Sequence, residues 1–105
     1  MREVVYKGTE MKLNISIEPV DTLTMDDYSF ECIFHTVGKS LTISKSEMIR
    51  KDENNYIAII NSNELDYGLI KMKIIAHLPD ADAEKGQRTE VLCMDTNIYL
   101  QPCKA

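Results

Sequence analysis

Three carboxylates occupy alternate positions of one acidic segment, Asp80, Asp82 and Glu84. Oxygen-rich loops of this kind bind hard cations such as Ca²⁺. The segment departs from the calcium loop of helix-loop-helix proteins, because Lys85 stands at the sixth position, where that loop has glycine, and Val91 stands at the twelfth, where it has glutamate. These carboxylates are weak candidate metal ligands. The interpretation we favour is a solvated hairpin loop, since acidic residues are common in exposed turns.

The chain shows no arrangement typical of nucleophilic catalysis. Such chemistry needs a Ser or Cys beside a histidine that a carboxylate orients, and signatures such as GxSxG are absent. His35 is predicted on an outward strand face and His77 at a strand end, so both are interpreted as surface histidines. Arg88 and Glu90 share a strand face and could pair with neighbours across the sheet, where a surface ion pair would contribute under about 1 kcal/mol. We expect no enzymatic activity and no cofactor.

Alternation of apolar and polar residues predicts the elements that position these side chains. Apolar residues recur at every second position, which is the period of a half-buried strand. The last two segments are read as separate strands or as one strand with a bulge near Thr96. The predicted strands cover residues 11–18, 28–36, 40–44, 56–61, 69–78, 87–95 and 97–100.

About seven short strands with few helical signals predict an all-β fold, a single immunoglobulin-like antiparallel β-sandwich. A small barrel is the alternative. Residues 45–53 are predicted as a loop with at most one helical turn, capped by Ser46. The domain spans residues 1–105 with an ordered core at about 11–101. Its core is predicted to contain Leu13, Ile15, Ile17, Phe30, Cys32, Phe34, Leu41, Ile43, Ile57, Ile59, Ile70, Met72 and Ile74.

Two of the three cysteines, Cys32 and Cys93, are predicted on opposing strands, at about the separation of the disulfide that joins the two sheets of antibody domains. The chain has no Trp, and Val91 stands where those domains have a conserved tyrosine. We therefore predict two buried free thiols. Cys103, in the C-terminal tail, is expected to be exposed.

Composition narrows the function classes. The 105 residues include 12 Lys and Arg against 17 Asp and Glu, for a net charge of −5. Because the basic residues are scattered, a phosphate backbone would be repelled, and we expect no nucleic-acid partner. The N-terminus lacks the apolar stretch of a signal peptide, and no window is apolar enough for a membrane span. Cytoplasmic synthesis is expected, with a surface or periplasmic location only if a signal was removed.

Three stretches carry a resemblance to a known group: ISKSEMIRKDENNYIAII, NSNELDYGLIKMKIIAHLPDAD and GQRTEVLCMDTNIYL. They resemble small immunoglobulin-like proteins encoded by phages and prophages of gut anaerobes and, more loosely, the N-terminal domain of phage baseplate upper proteins. The resemblance implies a non-enzymatic structural or adaptor module of the tail, baseplate or neck, associated with the virion and working through protein–protein assembly. One departure is Ala83-Glu84-Lys85, where the group has an aromatic residue and a second acid.

The alternative function is a cell-surface or periplasmic immunoglobulin-like module that binds protein or carbohydrate. A small metal-dependent enzyme is a weaker third candidate.

Apolar residues left outside the predicted core indicate where a partner or a second copy could bind. Ile33 and Ile75 point away from the core faces of their strands, and Met25 and Tyr67 lie in predicted loops. If Ile33 and Ile75 fall on neighbouring strands, they form a patch that a virion protein or another copy could cover. Ile33, Ile75 and Tyr67 are therefore the predicted interaction residues.

Overall fold

The computed structural model describes residues 3–19, 22–82 and 85–102. Short 3₁₀ turns at Met25–Asp27, Lys45–Glu47 and Ser62–Glu64 are the only helical elements in these ranges. The strands are β1 (Glu3–Tyr6), β2 (Glu10–Ser16), β3 (Ser29–Thr36), β4 (Lys39–Ser44), β5 (Ile49–Asp52), β6 (Asn55–Asn61), β7 (Gly68–Pro79) and β8 (Gln87–Gln101).

The strands form two sheets, one of five strands in the order β1-β8-β7-β3-β4 and one of three in the order β2-β6-β5. Immunoglobulin domains place strands B, E and D in one sheet and C, F and G in the other. With β2 taken as B, β3 as C, β5 as D, β6 as E, β7 as F and β8 as G, the order is the same. The predicted all-β sandwich is confirmed.

One pairing departs from the predicted antiparallel arrangement. β1 pairs parallel with the end of β8, with Glu3 opposite Ile98 and Tyr6 opposite Gln101. The sequence pattern predicts no strand before Met11, because EVVY is too short to show an alternation. Parallel pairing joins segments from the two ends of the chain, so it leaves no local signal.

β3 shows how alternation creates the core. Its residues alternate between partly exposed and buried, so that Phe30, Cys32, Phe34 and Thr36 all point between the sheets. The buried apolar side chains are Met11, Ile15, Ile17, Met25, Tyr28, Phe30, Cys32, Phe34, Ile43, Tyr56, Ala58, Ile60, Leu65, Ile70, Met72, Ile74, Ala76, Leu78, Ile98 and Leu100. Leu13 and Leu41, also predicted as core, are partly buried against it.

The prediction that Ile57 and Ile59 belong to the core is wrong, because β6 turns its other face inward. Ala58 and Ile60 are fully buried, whereas Ile57 is half-buried and Ile59 is 42% exposed. The run YIAIIN is apolar on both faces, so its pattern could not select the core side. Met25 was expected to be an exposed loop residue, but it is completely buried in its 3₁₀ turn.

The region 45–53 contains one turn, as predicted, followed by a strand that was missed. Ser44, not Ser46, precedes the turn, and its backbone N–H and hydroxyl donate to the Glu47 carboxylate at 3.1 and 2.8 Å. The missed strand is β5, which pairs with β6. All four residues of IRKD are exposed, so no buried face marks this strand in the sequence.

An Asp26–Arg50 pair ties the first 3₁₀ turn to β5. Arg50 donates from Nε and Nη2 to the two carboxylate oxygens at 2.9 and 2.8 Å, and the Tyr56 hydroxyl donates to the same carboxylate. The hydrogen bonds from Arg50 and Tyr56 lower the pKa of Asp26 from its ordinary 3.8 to about 2. This contact therefore depends on an ionised carboxylate.

We predict that Asp26→Asn removes part of the acid sensitivity of folding. The folded-state pKa is depressed, so the stabilisation is present above about pH 4 and is lost as the pH falls toward about 2. Urea unfolding at pH 6, 4 and 2.5 should show the variant less stable than wild type at pH 6, with the difference shrinking toward pH 2.5. Asp82→Asn, in an exposed turn, controls for loss of one carboxylate. An equal difference between Asp26→Asn and wild type at all three pH values would contradict the prediction.

Candidate protein-interaction surface

β7 and β8 form a long hairpin whose outer strand is paired on its far side over only part of its length. β7 pairs with β8 from Pro79–Gln87 to Gly68–Leu100. β1 covers the other side of β8 only from Ile98 to Gln101. Within the described part of the chain, no strand pairs with the far side of Gln87–Asp95. We call this segment the β8 edge.

A bulge separates the β8 edge from the part that β1 covers. Ile70 pairs with Ile98 and the next β7 residue, Lys71, pairs with Asp95, so Thr96 and Asn97 have no counterpart on β7. The Thr96 hydroxyl donates to the Ile70 carbonyl at 2.6 Å and accepts from the Ile98 N–H at 3.2 Å. Asn97 has a φ of 59°, the left-handed conformation that asparagine tolerates. The bulge predicted near Thr96 is confirmed, in a single continuous strand.

The β8 edge presents apolar side chains on both faces of the sheet. Leu92 and Met94 lie opposite the buried Ile74 and Met72 on the inner face, yet each is 42% exposed. The three-stranded sheet is narrower than the five-stranded one, so it does not cover β8 here. On the outer face, Val91 is 50% exposed and Cys93 is exposed as well.

Ile33 and Ile75, two of the predicted interaction residues, do lie on neighbouring strands. The register places Glu31 opposite Ile75 and Ile33 opposite Lys73, so the two isoleucines are diagonal neighbours on the outer face. Both are half-buried. Val91 lies directly opposite Ile75 on the next strand. We call Ile33, Ile75 and Val91 the outer patch, which is continuous with the β8 edge.

Tyr67, the third predicted interaction residue, lies apart from the outer patch. It immediately precedes β7, so it is separated from Ile75 by about 25 Å of extended chain. Its ring is half exposed, and the Lys7 ammonium lies 5.0 Å from the ring centroid. The structure therefore does not bring Tyr67 together with the isoleucines.

The interaction residues predicted from the sequence do not include four consecutive residues of the edge, Val91-Leu92-Cys93-Met94. Four apolar residues in a row break the alternation of a half-buried strand. Such a run indicates a strand that needs cover on both faces. That signal was available in the sequence, but it is shared by strands in the centre of a core.

The acidic loop is held by its own contacts. The Asp80 carboxylate accepts from the Asp82 N–H at 2.9 Å and lies 3.6 Å from Nε of Arg88, while the Asp80 N–H donates to the Gly86 carbonyl at 2.9 Å. Glu84, the third candidate ligand, lies outside the described residues. The described residues contain no group of three or more His, Cys, Asp or Glu side chains placed to hold a metal ion.

Among the polar residues singled out on the sheet, His35 and His77 lie on its outer face, whereas Arg88 and Glu90 lie on the same face as Leu92 and Met94. Nε of Arg88 lies 3.6 Å from Oδ2 of Asp80 across the hairpin, and Nη2 of Arg88 lies 3.6 Å from Oε1 of Glu90 in the same strand. Nε2 of His77 lies 3.8 Å from Oε1 of Glu31 across β3 and β7. His35 is half-buried between Ser40 and Lys71 on the neighbouring strands.

The expectation that Cys32 and Cys93 oppose each other across the sandwich is wrong. Both belong to the five-stranded sheet, with β7 between them, and they point to opposite faces. Cys32 is completely buried, and burial raises the pKa of its thiol to about 12. Cys93, also predicted to be buried, is an exposed free thiol because nothing described covers the β8 edge. Cys103 lies outside the described residues.

An open cavity of about 420 Å³ lies beside Lys45. The Lys45 ammonium donates to the Tyr28 carbonyl at 2.8 Å and lies 5.8 and 5.7 Å from the ring centroids of Phe30 and Tyr56. Its charge is thus already engaged within the fold.

Comparisons with known proteins assign this chain to no family. No protein-family model and no curated protein matches the chain. A solved structure from Bacteroides vulgatus, described as a "putative glycoside hydrolase", is similar with a TM-score of 0.47 and 12% identity. The match covers 98% of this chain and 17% of that one. No helix in the described ranges has the length and apolar character that crossing a membrane requires. The immunoglobulin-like assignment therefore rests on the strand order given above.

Proposed function

We propose that this chain is a non-enzymatic assembly module that binds other proteins through the β8 edge and the outer patch. The main support for this proposal is the unpaired far side of the β8 edge. Natural sheet proteins protect their edges with charges, prolines, bulges or covering segments, because a free row of N–H and C=O groups pairs with other strands. Here the bulge at Thr96–Asn97 stands at one end, and Val91 to Met94 lie unprotected beyond it. An edge of this kind is suited to accept a strand from a partner.

We further propose that the assembly is a phage or prophage particle, with the chain in the tail, baseplate or neck. The resemblance of ISKSEMIRKDENNYIAII and the two other stretches to phage-encoded immunoglobulin-like proteins supports this. The net charge of −5 favours a protein partner over nucleic acid. The proposed partners are other virion or assembly proteins, including further copies of this chain.

Purified particles test the virion role. Particles induced from the bacterium that carries the gene are banded by density and analysed by mass spectrometry, and the chain should be present at a fixed ratio to the major capsid protein. Its absence from intact particles would refute the virion role.

The outer patch is tested by exchanging its isoleucines for lysine. Ile33→Lys, Ile75→Lys places two charges on the patch and should reduce incorporation into particles about tenfold or more, because a charge buried against a partner carries a desolvation cost. The matched control is Ile49→Lys, Ile59→Lys, which changes two exposed isoleucines of the three-stranded sheet. Circular dichroism verifies folding of both variants. Equal incorporation of the two would exclude the outer patch as the binding surface.

A further inference from the structure

We infer that the occupant of the β8 edge is the β8 edge of a second copy of this chain, paired antiparallel about a two-fold axis at Val91. The inference rests on the proposed function, since it names the partner of the same surface. In this arrangement the two five-stranded sheets join into one continuous sheet. The outer patches of the two copies also become continuous, because a two-fold axis normal to a sheet keeps each face on its own side.

The length of the edge selects the register. The edge is bounded at one end by the turn containing Gly86 and at the other by the β1 strand, which begins opposite Ile98. Val91 is its midpoint. When Val91 faces its own copy, the two edges overlap from Gln87 to Asp95 and each hairpin tip stops short of the other copy's β1. Moving the two-fold axis from Val91 to Leu92 would bring each hairpin tip onto the β1 strand of the other copy.

Charge and side-chain contacts disfavour moving the two-fold axis in the opposite direction, from Val91 toward Glu90 and Thr89. Side-chain direction alternates along a strand, so the register of a symmetric antiparallel pair changes by moving the two-fold axis from one residue to the next. With the axis at Glu90, two like charges stand directly opposite each other, which is destabilising. With the axis at Thr89, Arg88 faces Glu90, but Leu92 and Met94 lose the neighbours on the facing strand that they have in the Val91 register.

The Val91 register puts no like-charged residues directly opposite. Thr89 faces Cys93, Glu90 faces Leu92, and the aliphatic stem of Arg88 lies against Met94. Each apolar side chain of the edge gains a cross-strand neighbour in the dimer, which is consistent with the lack of a protective charge between Val91 and Met94.

Light scattering and cysteine cross-linking test the dimer and its register. Wild type should change from monomer to dimer across a concentration series. Val91→Lys should raise the dissociation constant about tenfold or more, because it places two lysines opposite each other at the axis. Val37→Lys, at an exposed valine in the turn between β3 and β4, should dimerise like wild type.

The cross-linking background is Cys93→Ser, Cys103→Ser, which keeps the buried Cys32. Val91→Cys in this background should form a covalent dimer on mild oxidation, because directly opposite residues lie within disulfide range. Thr89→Cys in the same background should not. Thr89→Cys with Cys93 restored should cross-link again, and only between chains, since residues 89 and 93 of one strand are about 13 Å apart.

A wild type that stays monomeric, or cross-linking from Thr89→Cys alone as readily as from Val91→Cys, would overturn the inference. The particle experiment separates this failure from failure of the proposed function. A monomer found in purified particles leaves the assembly role standing with a different partner. A dimer absent from particles supports the two-fold pairing and removes the virion role.

Discussion

Truncating Phe34 to alanine should lower the free energy of unfolding by about 3 to 5 kcal/mol. Phe34 is completely buried on β3, where Leu41 and Met72 flank it on the neighbouring strands. Removing the ring loses its transfer free energy and leaves a cavity that strands held in register on both sides cannot fill. Domains of this size are stable by only about 5 to 15 kcal/mol, so the loss is a large share of the total. Urea unfolding followed by far-UV circular dichroism measures it.

Tyr67→Ala is the matched control, because it removes an aromatic ring that is half exposed. It should cost under about 1 kcal/mol, as changes outside buried contacts usually do. If Phe34→Ala and Tyr67→Ala shift the midpoint equally, Phe34 does not form part of a close-packed core.

Leu65→Ala is the second change with a large expected effect, about 2 to 5 kcal/mol. Leu65 ends the Ser62–Glu64 turn and is completely buried, and its backbone N–H donates to the Ser62 carbonyl at 3.2 Å. The side chain anchors the connection between β6 and β7, which passes from one sheet to the other. Losing this anchor should destabilise the whole sandwich, as measured by urea unfolding.

Leu92→Ala removes the same atoms from an exposed position on the β8 edge. Both leucine changes are best compared in the Val91→Lys background, where dimerisation contributes less to stability. There Leu92→Ala should cost under about 1 kcal/mol. In an otherwise wild-type chain, Leu92→Ala should weaken dimerisation instead. Equal destabilisation by the two leucine changes in the Val91→Lys background would contradict the assigned burial.

The sequence by itself determined the strands that have one buried and one exposed face. Phe30, Cys32 and Phe34 of β3, and Ile70 and Met72 of β7, were predicted as core and are buried. Alternation follows from the two-residue period of a strand, so it is written locally wherever one face is apolar and the other polar. The bulge at Thr96 was also predicted, because the run of strand-forming residues is interrupted there.

Only the tertiary structure decided which strands have neighbours. β1 is too short and β5 too polar for the sequence pattern to predict a strand. Both are stabilised by pairing with strands elsewhere in the chain. β6 is apolar on both sides, so packing between the sheets chose Ala58 and Ile60 for the core and left Ile59 outside.

The same reasoning explains the candidate site. The sequence showed that Ile33 and Ile75 point outward, but only the register placed them together with Val91. Cys32 and Cys93 looked like a pair across the sandwich, yet they lie in one sheet on opposite faces. Within the described residues, the β8 edge is open because β1 pairs with β8 only from Ile98 to Gln101 and the three-stranded sheet leaves Leu92 and Met94 exposed. Strand pairing between distant segments sets both limits, and no local pattern encodes it.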